Sequence, residues 1–348
     1  MTDSDRHQPS DTMRERVSEN ARMLWLLLDA DRWIIAGLFS ATLFLFLLVA
    51  GIAHPTPPHT LLTRGDPAET LYQALITGTI TGVTLVLTLS QLILSQELGA
   101  VGDQRERMEG AMEFREDVAD SVGASVSPAE PSAFLRSLVR ATKERAQSVE
   151  EAIDEDNGLD DDLLELLSAY LDSIVGNADE VTDQLEGGTF GAFDVVKAAL
   201  NYNYSWKLYA GRRIQEEHAA ELSEEALDKL DELIETLRLF GPAREHFKTL
   251  YFQWELSNLS RALLYIAVPA LAVAIGSLIL LDPRDFSGTT YGIANSLLLV
   301  AITTTISLFP FTVLLAYILR IVTITKRTLS IGPFILRETE RSVDVNWD

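Results

Sequence analysis

The chain has 348 residues, enough for two modest domains or for a membrane domain joined to a soluble one. Its formal net charge is −23, and −21 of that falls between Glu97 and Ser257, where 36 Asp and Glu stand against 15 Lys and Arg. So acidic a surface repels phosphate backbones and argues against a nucleic-acid partner, while the absence of cysteine removes disulfides, thiolate metal sites and cysteine nucleophiles.

The first predicted element is an amphipathic helix within the 1–32 tail. Met13, Val17, Ala21, Leu24 and Leu28 share one stripe, with Arg14, Arg16 and Arg22 off it. It either lies on the membrane surface, with Trp25 and Trp33 at headgroup depth, or packs on the acidic domain. The first apolar run, 33–53, carries no charge in 21 residues and reaches about 31 Å, the thickness of the hydrocarbon core. It lacks a small-residue cleavage site and reads as a span rather than a signal peptide. An outer loop at 54–70 follows, stiffened by Pro55, Pro57 and Pro58, and then a second span at 71–94.

The second span holds the most informative pattern. Thr77, Thr81, Thr84, Thr88, Gln91 and Ser95 recur every three or four residues, a 3.5-residue period that keeps them on one helix face. Beside them, Gly78 and Gly82 form a small-xxx-small pair that permits close approach of another helix. Two readings stand: a helix-packing seam, or the lining of a hydrated, uncharged pore built from several copies. Packing is preferred, because hydroxyl side chains satisfy themselves on their own helix in lipid.

Residues 95–258 form the acidic domain, in which apolar periodicity predicts helices throughout and hence a helical bundle. The second span's helix is expected to continue through Glu97–Ser121. Ser127 and Glu130 suggest a capping box, with Pro128 at the first helical position, opening a helix that carries Leu135, Leu138, Thr142, Ala146, Val149 and Ile153. Leu163, Leu167, Tyr170, Ile174, Val181 and Leu185 line the next, which ends at Gly187 and Gly188. Phe193, Val196, Leu200 and Leu208 mark a fourth. A fifth, through Leu230, Leu233, Leu237 and Phe240, is expected to stop at Gly241, and Pro242 to open a helix running directly into the third span.

The third span is read at 259–281, a second outer loop at 282–292, the fourth span at 293–320 and a C-terminal tail at 321–348. Pro269 and Pro310 each remove a backbone donor and are expected to kink the third and fourth spans. Basic residues fix the direction. Arg6, Arg14, Arg16, Arg22, Arg32, Arg105, Arg107, Arg115, Arg244, Lys248, Arg261, Arg320, Lys326 and Arg327 all lie on one side of the implied topology. The outer loops hold only Arg64 and Arg284. Both termini and the acidic domain are therefore expected in the cytoplasm, with the chain multi-pass in the cell membrane.

Chemistry is thinly represented. DEDNGLDDD fails the calcium-loop pattern, since Gly158 in the sixth position puts Leu164 where the twelfth ligand belongs. GGTFGAFDVVK lacks the Gly-Lys-Ser/Thr order of a phosphate loop. His54 and His59, or His218 with Glu217 and Glu221, lack a third clustered ligand. No catalytic set can be named, and no metal or cofactor is expected. The four apolar cores carry no Asp, Glu, Lys, Arg or His, which weighs against proton pumps, ion-coupled carriers and voltage sensors.

Acidic excess with only six lysines suits a protein working in concentrated salt. On that composition, on the two-span, domain, two-span plan and on LTLSQLILSQELGAVGDQ and LYFQWELSNLSRALLYIAVPAL, the chain resembles uncharacterised membrane proteins of haloarchaea. That resemblance implies no activity and no ligand. The plan is also similar to that of bestrophin-type channels, none of whose motifs is present. The expectation is an all-α, four-span protein, partnered by the bilayer, by further copies of itself and by a cytoplasmic protein. It acts as a membrane scaffold or sensor-like adaptor, or alternatively as an oligomeric ion channel with the second span lining the pore.

Overall fold

A computed structural model describes residues 30–97, 99–154, 158–187 and 193–328. The amphipathic helix expected at 13–28 lies outside the described residues, as do parts of both glycine- and acid-rich loops. Among the described residues the chain is nearly all helix and divides into two compact units, one formed by 99–252 with 325–328 and one by 30–97 with 253–324.

The first unit holds α4 (Val101–Ser121), α5 (Pro131–Asp154), α6 (Asp161–Leu185), α7 (Phe193–Asn201), α8 (Tyr204–Glu217) and the first part of α9 (Glu224–Leu280). The apolar stripes read from the sequence face inward. Leu135, Leu138, Ala146, Leu167, Ile174, Val181, Leu185, Leu230, Leu233, Leu237 and Phe240 form one core. α5 packs along α6, and α6 along α7 and α8.

Four boundaries differ from expectation, each for a local reason. α3 (Pro67–Glu97) does not run on into α4, because Ala100 is extended and serves as the N-cap of Val101. α5 begins at Pro131 rather than Pro128. A residue before proline is pushed out of the helical region, so Glu130 cannot be helical, and Arg115 Nη2 takes the Ser127 carbonyl at 2.9 Å. The expected helix from Phe193 to Leu208 is two, broken at Tyr202 and Asn203. There the Asn177 side chain substitutes for backbone, donating Nδ2–H to Asn201 O at 3.0 Å and accepting Asn203 N–H at 3.3 Å. Gly241 does not stop a helix: α9 passes straight through it and Pro242. Gly241 serves close packing instead, since a Cβ there would stand 3.0 Å from the Tyr204 ring.

Glu130 becomes the cap of α5, its Oε2 accepting from Ser132 Oγ at 2.5 Å and Ala133 N at 2.7 Å. Partial burial pushes its carboxyl up, but these hydrogen bonds outweigh it and hold the group below its ordinary range. Glu130→Ala is expected to lower the stability of this unit by about 1 kcal/mol. Because the folded value is the lower one, the contribution is full above the ordinary carboxylate range and is lost as pH falls through the depressed value. Unfolding midpoints of wild type and variant should therefore converge in acid.

The second unit contains α1 (Arg32–Ala53), the short α2 (Pro58–Thr63), α3, the rest of α9, and α10 (Asn295–Thr328) as far as Ile324. α1, α3, α9 and α10 are each long and apolar enough to cross a membrane. Pro269 and Pro310 lie inside unbroken α9 and α10. The α9–α10 connection carries a 3-10 turn at Pro283–Asp285 and a two-rung ribbon, β1 (Thr289–Thr290) against β2 (Ile293–Ala294).

Candidate functional site

α3 positions every residue of the predicted stripe. Thr77, Thr81, Thr84, Thr88, Gln91 and Ser95 are all exposed, as is Gly78, while Gly82 is partly covered. Among the described side chains of the same helix, Ala68, Tyr72, Leu75 and Val86 are buried. At about 100° per residue these two sets fall on opposite sides of the cylinder, so the polar row points directly away from the helices that α3 packs on. Four of the hydroxyls bond their own helix: Thr77 to Gln73 O at 3.0 Å, Thr84 to Ile80 O at 2.8 Å, Thr88 to Thr84 O at 2.9 Å and Ser95 to Leu92 O at 2.7 Å. Gln91 differs in kind. A carboxamide carries two donors and an acceptor that its own helix does not absorb.

The row extends to Gln73, also exposed, and from Gln73 to Gln91 it covers about 27 Å, close to a full hydrocarbon core. It is flanked by exposed Ile80, Leu85, Leu89 and Leu92. A Cβ at Gly78 or Gly82 would meet nothing within 4 Å, so the close approach that the glycine pair permits is not used among the described residues.

α10 is built the other way round. Ser296, Thr304 and Ser307 are buried, as is Thr312, while Ile302, Ile306, Phe311, Ile318 and Val322 face out. Cross-helix pairs join the four helices: Tyr72 OH with Thr303 Oγ1 at 2.6 Å, Ser40 Oγ with Thr312 Oγ1 at 3.0 Å, and Ser90 Oγ with Ser260 Oγ.

A third polar feature was missed from sequence. Glu255, 1% exposed, receives Arg32 Nε at 2.5 Å and Nη2 at 2.7 Å in a two-pronged ion pair. The Arg32 guanidinium lies 5.4 Å from the Tyr317 ring centre, and Arg320 donates to the Ala30 carbonyl. The cluster ties the start of α1 to α9 and to the end of α10. The available signal was Glu255, an acid between Lys248 and Arg261 just ahead of the third long apolar run.

No curated protein and no solved structure matches the chain. A family described as being of unknown function (DUF7972) matches it over residues 1–348.

Proposed function

The chain belongs to this family of unknown function, and from that premise we propose that it is an integral membrane protein that self-associates through the outward polar face of α3. It spans the cell membrane four times, with both termini and the acidic helical unit in the cytoplasm, as the distribution of Arg and Lys supports. There it acts as a scaffold or adaptor, holding several copies of the acidic unit at the membrane for a cytoplasmic protein partner. The observation that carries this reading is the direction of the α3 row. A helix that turns its hydroxyls and amides away from its own bundle presents them to hydrocarbon unless another copy covers them.

Mass measurement of the protein in lipid nanodiscs tests it. Wild type is expected to be oligomeric, and the triple variant Thr84→Leu, Thr88→Leu, Gln91→Leu to shift toward monomer. A monomeric wild type, or an unchanged oligomer in the variant, would remove the α3 interface.

The length of the row supports a second reading, an oligomeric channel with α3 lining the path. A seam can be short, whereas a conducting path must cross the whole core, and this row does so. Ion flux into liposomes, reduced by Gln91→Leu, separates the two; no flux at any salt concentration or voltage leaves the scaffold.

A further inference from the structure

We propose that the inward face of α10 is a water-binding seam inside each protomer, running from Ser296 to Ser307 and ending beside Pro310. The inference rests on the membrane reading above. In contact with lipid, a buried polar atom has only protein or enclosed water to satisfy it.

Three observations converge. Ser296, Thr304 and Ser307 are 1%, 2% and 1% exposed, and their hydroxyl oxygens have no hydrogen-bond partner among the described residues. All three fall in one angular sector with Thr303, whose hydroxyl meets Tyr72 OH. Pro310, buried in the same sector, has no N–H to give the Ile306 carbonyl, so a backbone acceptor is freed one residue from the Ser307 hydroxyl. From Ser296 to Ser307 the seam runs about 16 Å along the helix.

The chemistry selects the ligand. α10 contains no Asp or Glu, so the oxygens here are all neutral. They are hydroxyls, which donate and accept, together with a carbonyl, which accepts. That set matches water, which does both, and offers no charge to offset a dehydrated cation. Such water would also replace the helix bond that Pro310 removes.

Radiolytic hydroxyl labelling of the protein in nanodiscs tests this, with Tyr72 as reporter because it is 1% exposed and touches the seam. Tyr72 is expected to label far faster than Tyr202, equally buried in the other unit, and the double variant Thr304→Val, Ser307→Val to lose most of that labelling. Tyr72 labelling no faster than Tyr202 would overturn the proposal. Should the double variant fold poorly, Ser307→Ala gives a sign test. A dry, partnerless hydroxyl is stabilised by its removal, so a rise in Tm contradicts the seam, and the fall expected from losing a water ligand supports it. A saturable rise in Tm with added Na⁺ or K⁺ would replace water by a cation and overturn the assignment. Failure to enter nanodiscs at all would instead count against the membrane reading.

Discussion

Arg32→Met is expected to destabilise the protein by about 3–5 kcal/mol, the range for stranding one member of a buried ion pair. Glu255 is 1% exposed, and both of its oxygens are taken by the Arg32 fork. Removing the fork leaves a carboxylate that is cut off from bulk water and has lost both of the hydrogen bonds it accepts from Arg32. Arg32→Lys should fall between, since an ammonium keeps the charge but not the two parallel bonds. Glu255→Gln should be milder than Arg32→Met, because the Arg32 side chain keeps 21% exposure and can be partly rehydrated. Unfolding in mixed micelles measures all three. An Arg32→Met cost within about 0.5 kcal/mol of zero, the scale of surface substitutions, would show that the pair does not hold α1, α9 and α10 together.

The second large effect is expected at Gly211, in the middle of α8. A Cβ there would sit 2.4 Å from Tyr170 Oη and 3.3 Å from Ile234 Cγ1. Tyr170 is buried and its hydroxyl donates to Lys207 O at 2.9 Å, so the ring cannot retreat without breaking that bond. Burial also pushes its phenol well above the ordinary tyrosine range, with Tyr202 adding to the shift, so it remains a neutral donor. Gly211→Ala would gain about 1 kcal/mol of helix propensity. Overpacking costs typically 1–3 kcal/mol and here should dominate. Tyr170→Phe removes the clashing oxygen, at about 1 kcal/mol for the lost hydrogen bond. The double variant should therefore be more stable than the sum of the singles, by about 1–2 kcal/mol of coupling. Additive costs in denaturant titration would show that the ring yields freely.

The long apolar helices and the stripes were legible because long apolar runs and 3.6-residue periodicity are local properties. Leu135 through Ile153 and Leu163 through Leu185 needed no partner to be recognised as faces. The breaks were not legible, because each depends on a distant residue. Asn177 permits the gap at Tyr202, Tyr204 explains Gly241, and Arg115 holds the segment before Pro131. The α3 row was visible as a row, but its direction was not. A polar stripe of the same composition lies inside on α10 and outside on α3, and only packing separates the two. The Arg32–Glu255 pair was hidden for a further reason: its members stand 223 residues apart, and each looked like an ordinary flanking charge.

The stitch at Asn177 makes one perishable group responsible for joining α7 to α8. A carboxamide can stand in for a peptide because it has one face that gives a proton and one that takes one. Slow hydrolysis to a carboxylate, the ageing reaction that makes asparagine thermolabile, would turn the giving face into a second taker pointed at the Asn201 carbonyl. Position 177 is 3% exposed and lies within a regular helix, a setting that keeps the hydrolytic water away. The same burial that makes the amide structurally necessary is thus what preserves it over time.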